Sequence, residues 1–441
     1  MSNELTAADL VISDLGICKV PSPVASLLGE RAMHFVGEAD KVLLDDRLSS
    51  LGTHHGLIAE MPAFELAGPR NRIFWEPSAV KAGIVTCGGL CPGLNNVVRG
   101  IVLELWHSYG VRSIVGFRYG YEGLVPRFGH DPLALDPRSV SRIHHQGGTV
   151  LGSSRGKQEA VETVDYLEKL GINQLYVVGG DGTIRGAMAI VEEAKKRNLK
   201  LGVIGVPKTI DNDIQFIDRS FGFETAFTEA VTVIKSANVE ANGARGGVGL
   251  VKLMGRHSGF IACHAALAST DVNIVLIPEV PVALAGEKGL LAYLEKRIER
   301  SGHAVIVVAE GAGQALLAAG DGARDASGNL KLQDVGTWLR DTIVGHFKAR
   351  KIELNLKYLD PSYHIRSVPA SPSDSVFCWN LARNSVHAAM AGNTAMLIGR
   401  WHGRFVHVPM AVATRQRKEV DPTGDLWMSV IEGTGQPKAF A

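Results

Sequence analysis

Two acidic side chains stand close together in the stretch GVPKTIDND, residues 205–213, which follows an apolar run. Asp211 and Asp213 close this stretch, and Lys208 and Thr209 precede them. Asp and Asn are ordinary turn formers, so one interpretation is a solvated loop. Another is general-base chemistry, in which a positioned carboxylate accepts a proton from a hydroxyl group. The neighbouring motifs decide between the two.

Three glycine-rich turns follow apolar runs in the same part of the chain: GGLCPG at 88–93, GSSRG at 152–156 and GGDGT at 179–183. Glycine lets backbone amides approach a ligand, and the N-terminus of a following helix favours an anion such as phosphate. Arg155 in the second turn adds a cation that suits phosphate oxygens. Together the turns predict a site for a phosphorylated ligand.

An acidic residue, Asp181, lies inside the third turn. A carboxylate repels phosphate unless a cation lies between them, so Asp181 predicts a Mg²⁺ ion held directly or through water, with helix capping as the alternative. Phosphoryl transfer to an alcohol then gives the 205–213 stretch a role, with Asp211 as the base and Asp213 shaping the local field. Thr209 would hydrogen-bond the substrate, and Lys208 would add positive charge.

Further candidates follow apolar runs later in the chain. LMGRHSG at 253–259 provides Arg256 with the backbone amides of Met254 and Gly255, and AEGAG provides Glu310 as an acceptor for sugar hydroxyls. KYLDPSYHIRSVP at 357–369 groups cationic and aromatic side chains that suit a phosphate on the acceptor, namely Lys357, Tyr358, Tyr363, His364 and Arg366.

The elements that must position these residues alternate between short apolar strands and amphipathic helices. KAGIVTC, QLYVVGG and KLGVIGVP are typical of buried strands, and KQEAVETVDYLEKLG and TIRGAMAIVEEAKKRN are typical of helices. A second series, from GGVGLVKLMG to HAVIVVAEG, repeats the alternation. The pattern predicts an α/β fold with two lobes of parallel strands flanked by helices, and ligands at the carboxyl ends of the strands.

Composition excludes several classes of protein. The 441 residues are 46% hydrophobic and 21% charged with a net charge of +1, which gives no reason to expect nucleic-acid or membrane partners. No apolar run approaches the ~18 residues of a membrane span, and the first residues lack the build of a signal peptide. Five cysteines in a long chain favour reduced thiols, so we expect a cytoplasmic protein.

Six motifs together make the chain resemble the phosphofructokinase family over roughly residues 80–415, and in particular its long-type branch from plants, kinetoplastids and some bacteria. They are TCGGLCPGLNNVVRG, VVGGDGTIRGA, GVPKTIDNDI, GFETA, VKLMGRHSG and KYLDPSYHIRSVP. The family fold has two Rossmann-like lobes, which agrees with the alternation above. The resemblance implies Mg²⁺-dependent transfer of the ATP γ-phosphoryl group to the 1-hydroxyl of fructose 6-phosphate, by a homodimer or homotetramer.

The resemblance also implies roles for single residues, with Asp211 as the base, Asp181 holding Mg²⁺ and Arg256 steadying the transferring group. The nucleotide site falls on Gly88, Gly89, Arg155, Gly156, Gly180, Asp181, Gly182 and Thr183. The sugar-phosphate site falls on Thr209, Ile210, Asp211, Met254, Gly255, Arg256, Glu310, Tyr363, His364, Ile365 and Arg366. The expected divisions are an N-terminal extension or cap at 1–79, a nucleotide-binding lobe at 80–222 with about 374–405, a sugar-phosphate-binding lobe at 223–373, and a C-terminal segment at 406–441.

The phosphoryl donor depends on two positions. Pyrophosphate users of the family resemble one another in having Asp at the place of Gly182, where a carboxylate would repel the α-phosphate of ATP, so Gly182 favours ATP. Lys208 resembles the pyrophosphate pattern, although long-type ATP users share this combination, and a reversible pyrophosphate-dependent enzyme stays the alternative. The arginine that reaches over from a neighbouring subunit in short-type enzymes is replaced by Gly247 here, which puts such subunit-crossing contacts in doubt.

Other functions stay open but have less support. A different sugar phosphate could be the acceptor, because no motif measures the depth of the pocket. A lipid or NAD kinase would share GGDGT but has no need of KTIDND and MGRHSG. A regulatory subunit without activity would be expected to have lost Asp211 or Asp181, and the chain has both.

Overall fold

The computed structural model describes residues 5–25, 35–51, 60–317, 324 and 331–441. These residues form two compact units, each of which is described by itself. Unit 1 comprises the described residues up to Thr209, with Ile214–Phe221 and Pro369–Arg417. Unit 2 comprises Ile210–Asp213, the described part of Gly222–Val368, and Lys418–Ala441.

The secondary structure of the described residues follows the predicted alternation from residue 81 onward. The strands are β1 Ser13–Asp14, β2 Val20–Pro21, β3 Lys41–Leu43, β4 Ala63–Leu66, β5 Arg72–Ile73, β6 Lys81–Thr86, β7 Ser113–Phe117, β8 Leu133–Ala134, β9 Gln174–Gly179, β10 Gly202–Pro207, β11 Gly247–Leu253, β12 Ile274–Leu276, β13 His303–Ala309, β14 Asn355–Leu359, β15 Asn393–Thr394, β16 Met396–Trp401 and β17 Arg404–Pro409. The α-helices are α1 Leu48–Leu51, α2 Leu94–Leu103, α3 Ala160–Leu170, α4 Asp181–Lys196, α5 Phe223–Asn242, α6 Phe260–Ser269, α7 Leu290–Ser301, α8 Val335–Arg350, α9 His364–Ser367, α10 Pro372–Met390, α11 Met410–Ala413 and α12 Asp425–Thr434.

Unit 1 is built on a sheet of nine described strands in the order β3-β4-β17-β16-β10-β9-β6-β7-β8. Its central strands are parallel, and every residue of β9 and β10 is buried, as expected for strands that are covered on both faces. Helix α2 packs closely on α10, since a Cβ added at Gly100 would lie 2.6 Å from Cβ of Ala382. The carboxyl ends of β6 and β9 carry two of the glycine turns.

Unit 2 is built on a parallel sheet of four described strands in the order β12-β13-β11-β14. Its core joins the apolar residues of these strands to helices α7 and α8, with Phe347 fully buried at its centre. Charged positions are rare in these strands: Lys252 is the one residue of β11 that is not buried.

The predicted α/β fold class is confirmed, with one refinement at the edges of the larger sheet. That sheet is mixed, because β17 runs antiparallel to β16 and pairs with β4, and β4 pairs with β3. Strands β16 and β17 are joined by His402 and Gly403, whose φ angles of 46° and 75° suit a tight hairpin turn. Part of the predicted extension at 1–79 thus supplies edge strands to unit 1, while 1–4, 26–34 and 52–59 lie outside the described residues. In the described part of the chain, no helix is long and apolar enough to cross a membrane.

Candidate active site

The first glycine turn of unit 1 is held by hydrogen bonds to the second. Gly88 has φ +83°, its N–H donates to the Ser154 carbonyl at 3.0 Å, and its carbonyl accepts from Ser153 Oγ at 2.6 Å. Lys208 lies beneath the turn, and its Nζ donates to the Gly89 carbonyl at 2.7 Å. Lys208 is only 7% exposed, so its charge lies against the backbone of the first turn, and its predicted catalytic role stays a prediction.

The second glycine turn exposes the side chain of Arg155 to solvent. Arg155 and Gly156 are exposed, and Gly156 has φ +116°, a conformation that favours glycine. The turn is fixed at its base, where Thr86 Oγ1 donates to the Gly152 carbonyl at 2.9 Å. An exposed guanidinium on a fixed turn agrees with the predicted role of Arg155 as a phosphate contact.

The third turn forms the start of helix α4. Gly180 precedes the helix, and its carbonyl accepts the N–H of Thr183 at 2.9 Å. Asp181 is the first residue of the helix, and its carboxylate lies 3.2 Å from Nε of Arg185. Around Gly182 the space is open, because a Cβ there would have no described atom within 4 Å apart from its chain neighbours and the backbone of its own helix. A negatively charged donor could therefore approach the N-terminus of α4 over Gly182.

The third turn also suits a magnesium ion, although no group of three or more His, Cys, Asp or Glu side chains among the described residues could form a protein cage for a metal. Mg²⁺ is usually bound through one or two carboxylates, with substrate phosphates and water completing its shell. Asp181, half-buried and ion-paired with the exposed Arg185, is a carboxylate of that kind. The residues of unit 1 thus fit a metal ion that arrives with a phosphorylated ligand.

In unit 2, the side chain of Asp211 is held in an environment that disfavours its charge. Burial, followed by the nearby carboxylates of Asp213 and Glu310, raises the pKa of Asp211 to about 8. A backbone hydrogen bond from Arg256 and the charge of that residue act in the opposite direction. In the described part of the chain, no donor bonds Oδ1 of Asp211. The position therefore combines a basic carboxylate with an open acceptor atom, which is the requirement for a general base.

Two glycines bring the Arg256 loop against the end of β13. Gly255 has φ +129°, and its carbonyl accepts the N–H of Gly311 at 3.1 Å. A Cβ at Gly311 would lie 2.0 Å from the Arg256 carbonyl oxygen. Glu310, next to this contact, has its pKa raised by burial and lowered by Arg256. The structure thus places three predicted residues, Asp211, Arg256 and Glu310, in one charged cluster.

The last predicted group lies at helix α9 in the same unit. Tyr363 is 77% exposed, and the Arg366 guanidinium stacks over its ring at 4.7 Å. His364 Nε2 lies 3.5 Å from Glu229 Oε2. The side chains of Ile210 and Ile365 are buried, so these two residues could contact a ligand only through their backbone. Arg366 and Glu310 interact electrostatically, which joins this group to the charged cluster.

One functional candidate, Lys252, is absent from the sequence-based predictions. Its ammonium lies 2.8 Å from Asp360 Oδ2 and 3.3 Å from Asp334 Oδ1, and it is among the cations that lower the pKa of Glu310. Asp360 in turn accepts the backbone N–H of Ser362 at the start of the loop that leads to α9. The signal was present in the sequence as a single lysine within an otherwise apolar strand, GLVKL.

Comparison with known proteins identifies the family. The chain belongs to the phosphofructokinase family, since the family model described as Phosphofructokinase matches residues 81–389. An ATP-dependent 6-phosphofructokinase of Amycolatopsis methanolica is 51% identical over 98% of this chain and 96% of the relative. An ATP-dependent 6-phosphofructokinase of Trypanosoma brucei brucei is 45% identical over 98% of this chain and 89% of the relative. ATP-dependent 6-phosphofructokinase 1 of Arabidopsis thaliana is 48% identical over 92% of this chain and 84% of the relative. The resemblance seen in the sequence, including its plant and kinetoplastid side, is confirmed.

Solved structures support the same fold. A pyrophosphate-dependent phosphofructokinase from Marinobacter aquaeolei matches with a TM-score of 0.67 and 20% identity, covering 82% of this chain and 93% of that one. Pichia pastoris phosphofructokinase in the T-state matches with a TM-score of 0.63 and 21% identity, covering 85% and 41%. At these identities the likeness concerns the fold alone.

Proposed function

We propose that this chain transfers the γ-phosphoryl group of ATP to the 1-hydroxyl of fructose 6-phosphate, giving fructose 1,6-bisphosphate and ADP. The observation that carries the proposal is Asp211, a carboxylate whose pKa is raised to about 8 and whose Oδ1 has no donor in the described residues. A base with a pKa near the working pH is suited to take a hydroxyl proton. The names of relatives at 45–51% identity support the choice of substrates.

The proton and phosphoryl steps follow from this assignment. Asp211 accepts the proton of the 1-hydroxyl while the hydroxyl oxygen attacks the γ-phosphorus of ATP. The bond between the γ-phosphorus and the oxygen that bridges it to the β-phosphate breaks, and ADP leaves. Arg256 stabilises the negative charge of the transferring group, and Thr209 hydrogen-bonds the substrate. Asp213 keeps the local potential negative, which maintains the basicity of Asp211 until the sugar binds.

The acceptor is held by groups of unit 2. Glu310 accepts hydrogen bonds from sugar hydroxyls, and the backbone amides of Met254 and Gly255 support the same ligand. Arg366 provides a cationic contact and His364 a ring N–H for the 6-phosphate. Tyr363 and the backbone of Ile365 and Ile210 line the ligand. Lys252, half-buried and ion-paired with Asp360, adds positive charge near Glu310.

ATP is the proposed donor, bound by the three glycine turns of unit 1. Gly88, Gly89, Gly180 and Thr183 offer backbone and hydroxyl groups to phosphates, and Arg155 with Gly156 adds an exposed cation. Open space at Gly182 supports ATP over pyrophosphate. Lys208, which resembles the pyrophosphate pattern, is buried and bonds the Gly89 carbonyl, and this contact supports a role in fixing the first glycine turn.

A magnesium ion would be held by Asp181 together with the phosphates of ATP. When bound, it would neutralise charge on the β- and γ-phosphates. Asp181 must then exchange its pairing with Arg185 for the metal and its waters. We further propose a homo-oligomer, dimer or tetramer, in the cytoplasm; the five free cysteines support a reducing compartment.

The test is product analysis by ³¹P NMR of the purified protein with fructose 6-phosphate, Mg²⁺ and either ATP or pyrophosphate. Formation of fructose 1,6-bisphosphate and ADP is expected with ATP, and it should stop when EDTA removes Mg²⁺. Turnover with pyrophosphate but not ATP would overturn the donor. Absence of the bisphosphate with both donors would overturn the acceptor.

A further inference from the structure

Glu279 is a half-buried carboxylate that the reaction above does not use. It stands just after strand β12, and its Oε1 accepts two backbone N–H groups, from Gly259 at 2.9 Å and from Val420 at 2.8 Å. Its Oε2 is buried, and no donor in the described residues bonds it. Burial raises the pKa of Glu279, so its place in the fold is unfavourable for a charge. We therefore ask what the two hydrogen bonds of Glu279 contribute to the structure around them.

The first bond reaches the loop that carries Arg256. Gly259 ends this loop and is the N-cap of helix α6, where a carboxylate is electrostatically favourable. Packing here is tight, because a Cβ at Gly259 would lie 2.3 Å from Cγ2 of Ile277 and 3.1 Å from Oε2 of Glu279. The residue before it, Ser258, donates from Oγ to the Asp211 carbonyl at 3.0 Å. Glu279 is therefore connected to the backbone of Asp211 through Gly259 and Ser258.

The second bond reaches the segment that follows residue 417. Val420 is buried, and two residues earlier the N–H of Lys418 donates to the Asp213 carbonyl at 2.9 Å. The Lys418 ammonium also lies 5.0 Å over the Phe260 ring in the first turn of α6. This segment thus contacts both the turn that holds Asp213 and the helix that follows the Arg256 loop.

The same segment is anchored independently at its far end. Gln436 donates to the Val275 carbonyl at 3.2 Å and accepts the Val275 N–H at 2.6 Å, so its amide takes the place of a neighbouring strand at the edge of the sheet. Loss of the Glu279 bond would leave this anchor in place. The bond to Val420 is therefore not needed to keep the segment attached, and its local effect falls on the residues near Asp213.

We propose that Glu279 is a positioning residue, which fixes the Arg256 loop through Gly259 and the Asp213 turn through Val420, so that Asp211 and Arg256 keep their relative geometry. The proposal rests on the proposed function for its kinetic consequence. A small misplacement of reacting groups costs catalysis more than it costs binding of a distant ligand. Loss of the carboxylate should therefore lower kcat and leave binding of the nucleotide nearly unchanged.

The experiment compares Glu279→Ala and Glu279→Gln with Glu419→Gln as the matched control. Glu419 is an exposed carboxylate next to Val420, so its neutralisation removes the same charge from the same region without breaking the two bonds. Glu279→Ala should lower kcat about 10- to 100-fold with the KM for ATP changed less than about twofold. Glu279→Gln keeps an oxygen acceptor and should recover kcat to within about threefold of the parent, as should Glu419→Gln.

Hydrogen exchange measured by mass spectrometry separates this proposal from the proposed function. Glu279→Ala should speed exchange in peptides covering 255–259 and 418–420, whether or not fructose 6-phosphate is the substrate. If the parent protein lacks this activity while exchange changes as stated, the proposed function fails and the positioning role stands. A folded Glu279→Ala protein with kcat within twofold of the parent, or with unchanged exchange, would overturn the role. If Glu279→Ala does not fold, Glu279→Asp, which shortens the reach by one methylene, is judged by the same two criteria.

Discussion

At the scale of one residue, the surroundings that make Asp211 a suitable base also make its charged form destabilise the fold. Its folded-state pKa of about 8 lies above the ordinary value of 3.8, because the carboxylate is buried and faces Asp213 and Glu310. Below pH ~4 the group is protonated in both the folded and the unfolded chain and has no effect on stability. Between pH ~4 and ~8 the unfolded chain releases the proton first, so the stability of the fold falls as pH rises, and above ~8 the loss is complete.

Asp211→Asn should therefore stabilise the protein most at alkaline pH. The neutral amide has nearly the same shape and carries no charge that must be buried. We expect thermal unfolding to show an increase in Tm of at least about 3 °C at pH 8.5 and a clearly smaller increase at pH 5. An increase that is equal at the two pH values, or a decrease at pH 8.5, would contradict the raised pKa.

Gly182 controls the phosphoryl donor in this account. Gly182→Asp should raise the KM for ATP about 10- to 100-fold through repulsion of its phosphates, while Tm changes by less than about 2 °C because the site has room for the side chain. Initial rates with varied ATP and Mg²⁺ give the result directly. Gly182→Asn is the control for volume without charge and should have a much smaller effect. Equal effects of Asp and Asn would show that volume, not charge, excludes the donor.

At the scale of residues, sequence motifs after apolar runs were sufficient to name candidate site residues, whose roles stay predictions. Asp211, Arg256 and Glu310 were each predicted from a motif, and the fold brings them into one cluster. The sequence did not indicate that Lys208 is buried and bonds the Gly89 carbonyl, because such packing leaves no trace in a linear motif, and its predicted role stays a prediction. Glu279 was not predicted from the sequence, because both of its hydrogen-bond partners are backbone N–H groups, which no pattern of side chains indicates.

At the scale of elements, the close approach of the Arg256 loop to the end of β13 depends on Gly311. Gly311→Ala places a methyl group 2.0 Å from a backbone oxygen, so the loop must move. We expect kcat/KM for fructose 6-phosphate to fall at least about 10-fold and stability to fall by about 1–3 kcal/mol. Steady-state kinetics and denaturant unfolding measure the two effects.

The control for this change is Gly345→Ala, in helix α8 of the same unit. Apart from its chain neighbours and the backbone of its own helix, no described atom lies within 4 Å of the added Cβ, and the position is exposed. Alanine in a helix interior should add about 0.5–1 kcal/mol of stability and leave kcat/KM unchanged. If Gly311→Ala proved as harmless as Gly345→Ala, the packing argument for the loop would be wrong.

Periodicity was sufficient to predict most elements but not the edges of the larger sheet. Strands β9 and β10 read as buried runs because they are covered on both faces. Residues 406–409 of strand β17 were assigned to a C-terminal segment, and the left-handed turn at His402 and Gly403 folds this strand back onto β16. A His-Gly pair is a weaker hairpin signal than Asn-Gly, so the return of the chain was not predicted.

At the scale of the whole molecule, the two series of strands and helices correspond to two compact units. The division of the chain at 79, 222, 373 and 405 stays a prediction, although the described strands β3 and β4 join the sheet of unit 1. Pairing between residues more than 300 positions apart, such as His407 with Glu65, leaves no periodic trace in the sequence. Local pattern thus predicts elements, whereas long-range pairing comes from the folded structure.

The central claim is that Asp211 is the general base of an ATP-dependent fructose 6-phosphate kinase. The most direct measurement is the initial rate with fructose 6-phosphate, Mg²⁺ and ATP, for the parent protein and for Asp211→Asn at pH 7.5. The account predicts turnover by the parent and a kcat lowered at least about 100-fold in Asp211→Asn, with a similar KM for ATP. A parent protein without turnover, or an Asp211→Asn protein with kcat within a few-fold of the parent, would contradict it.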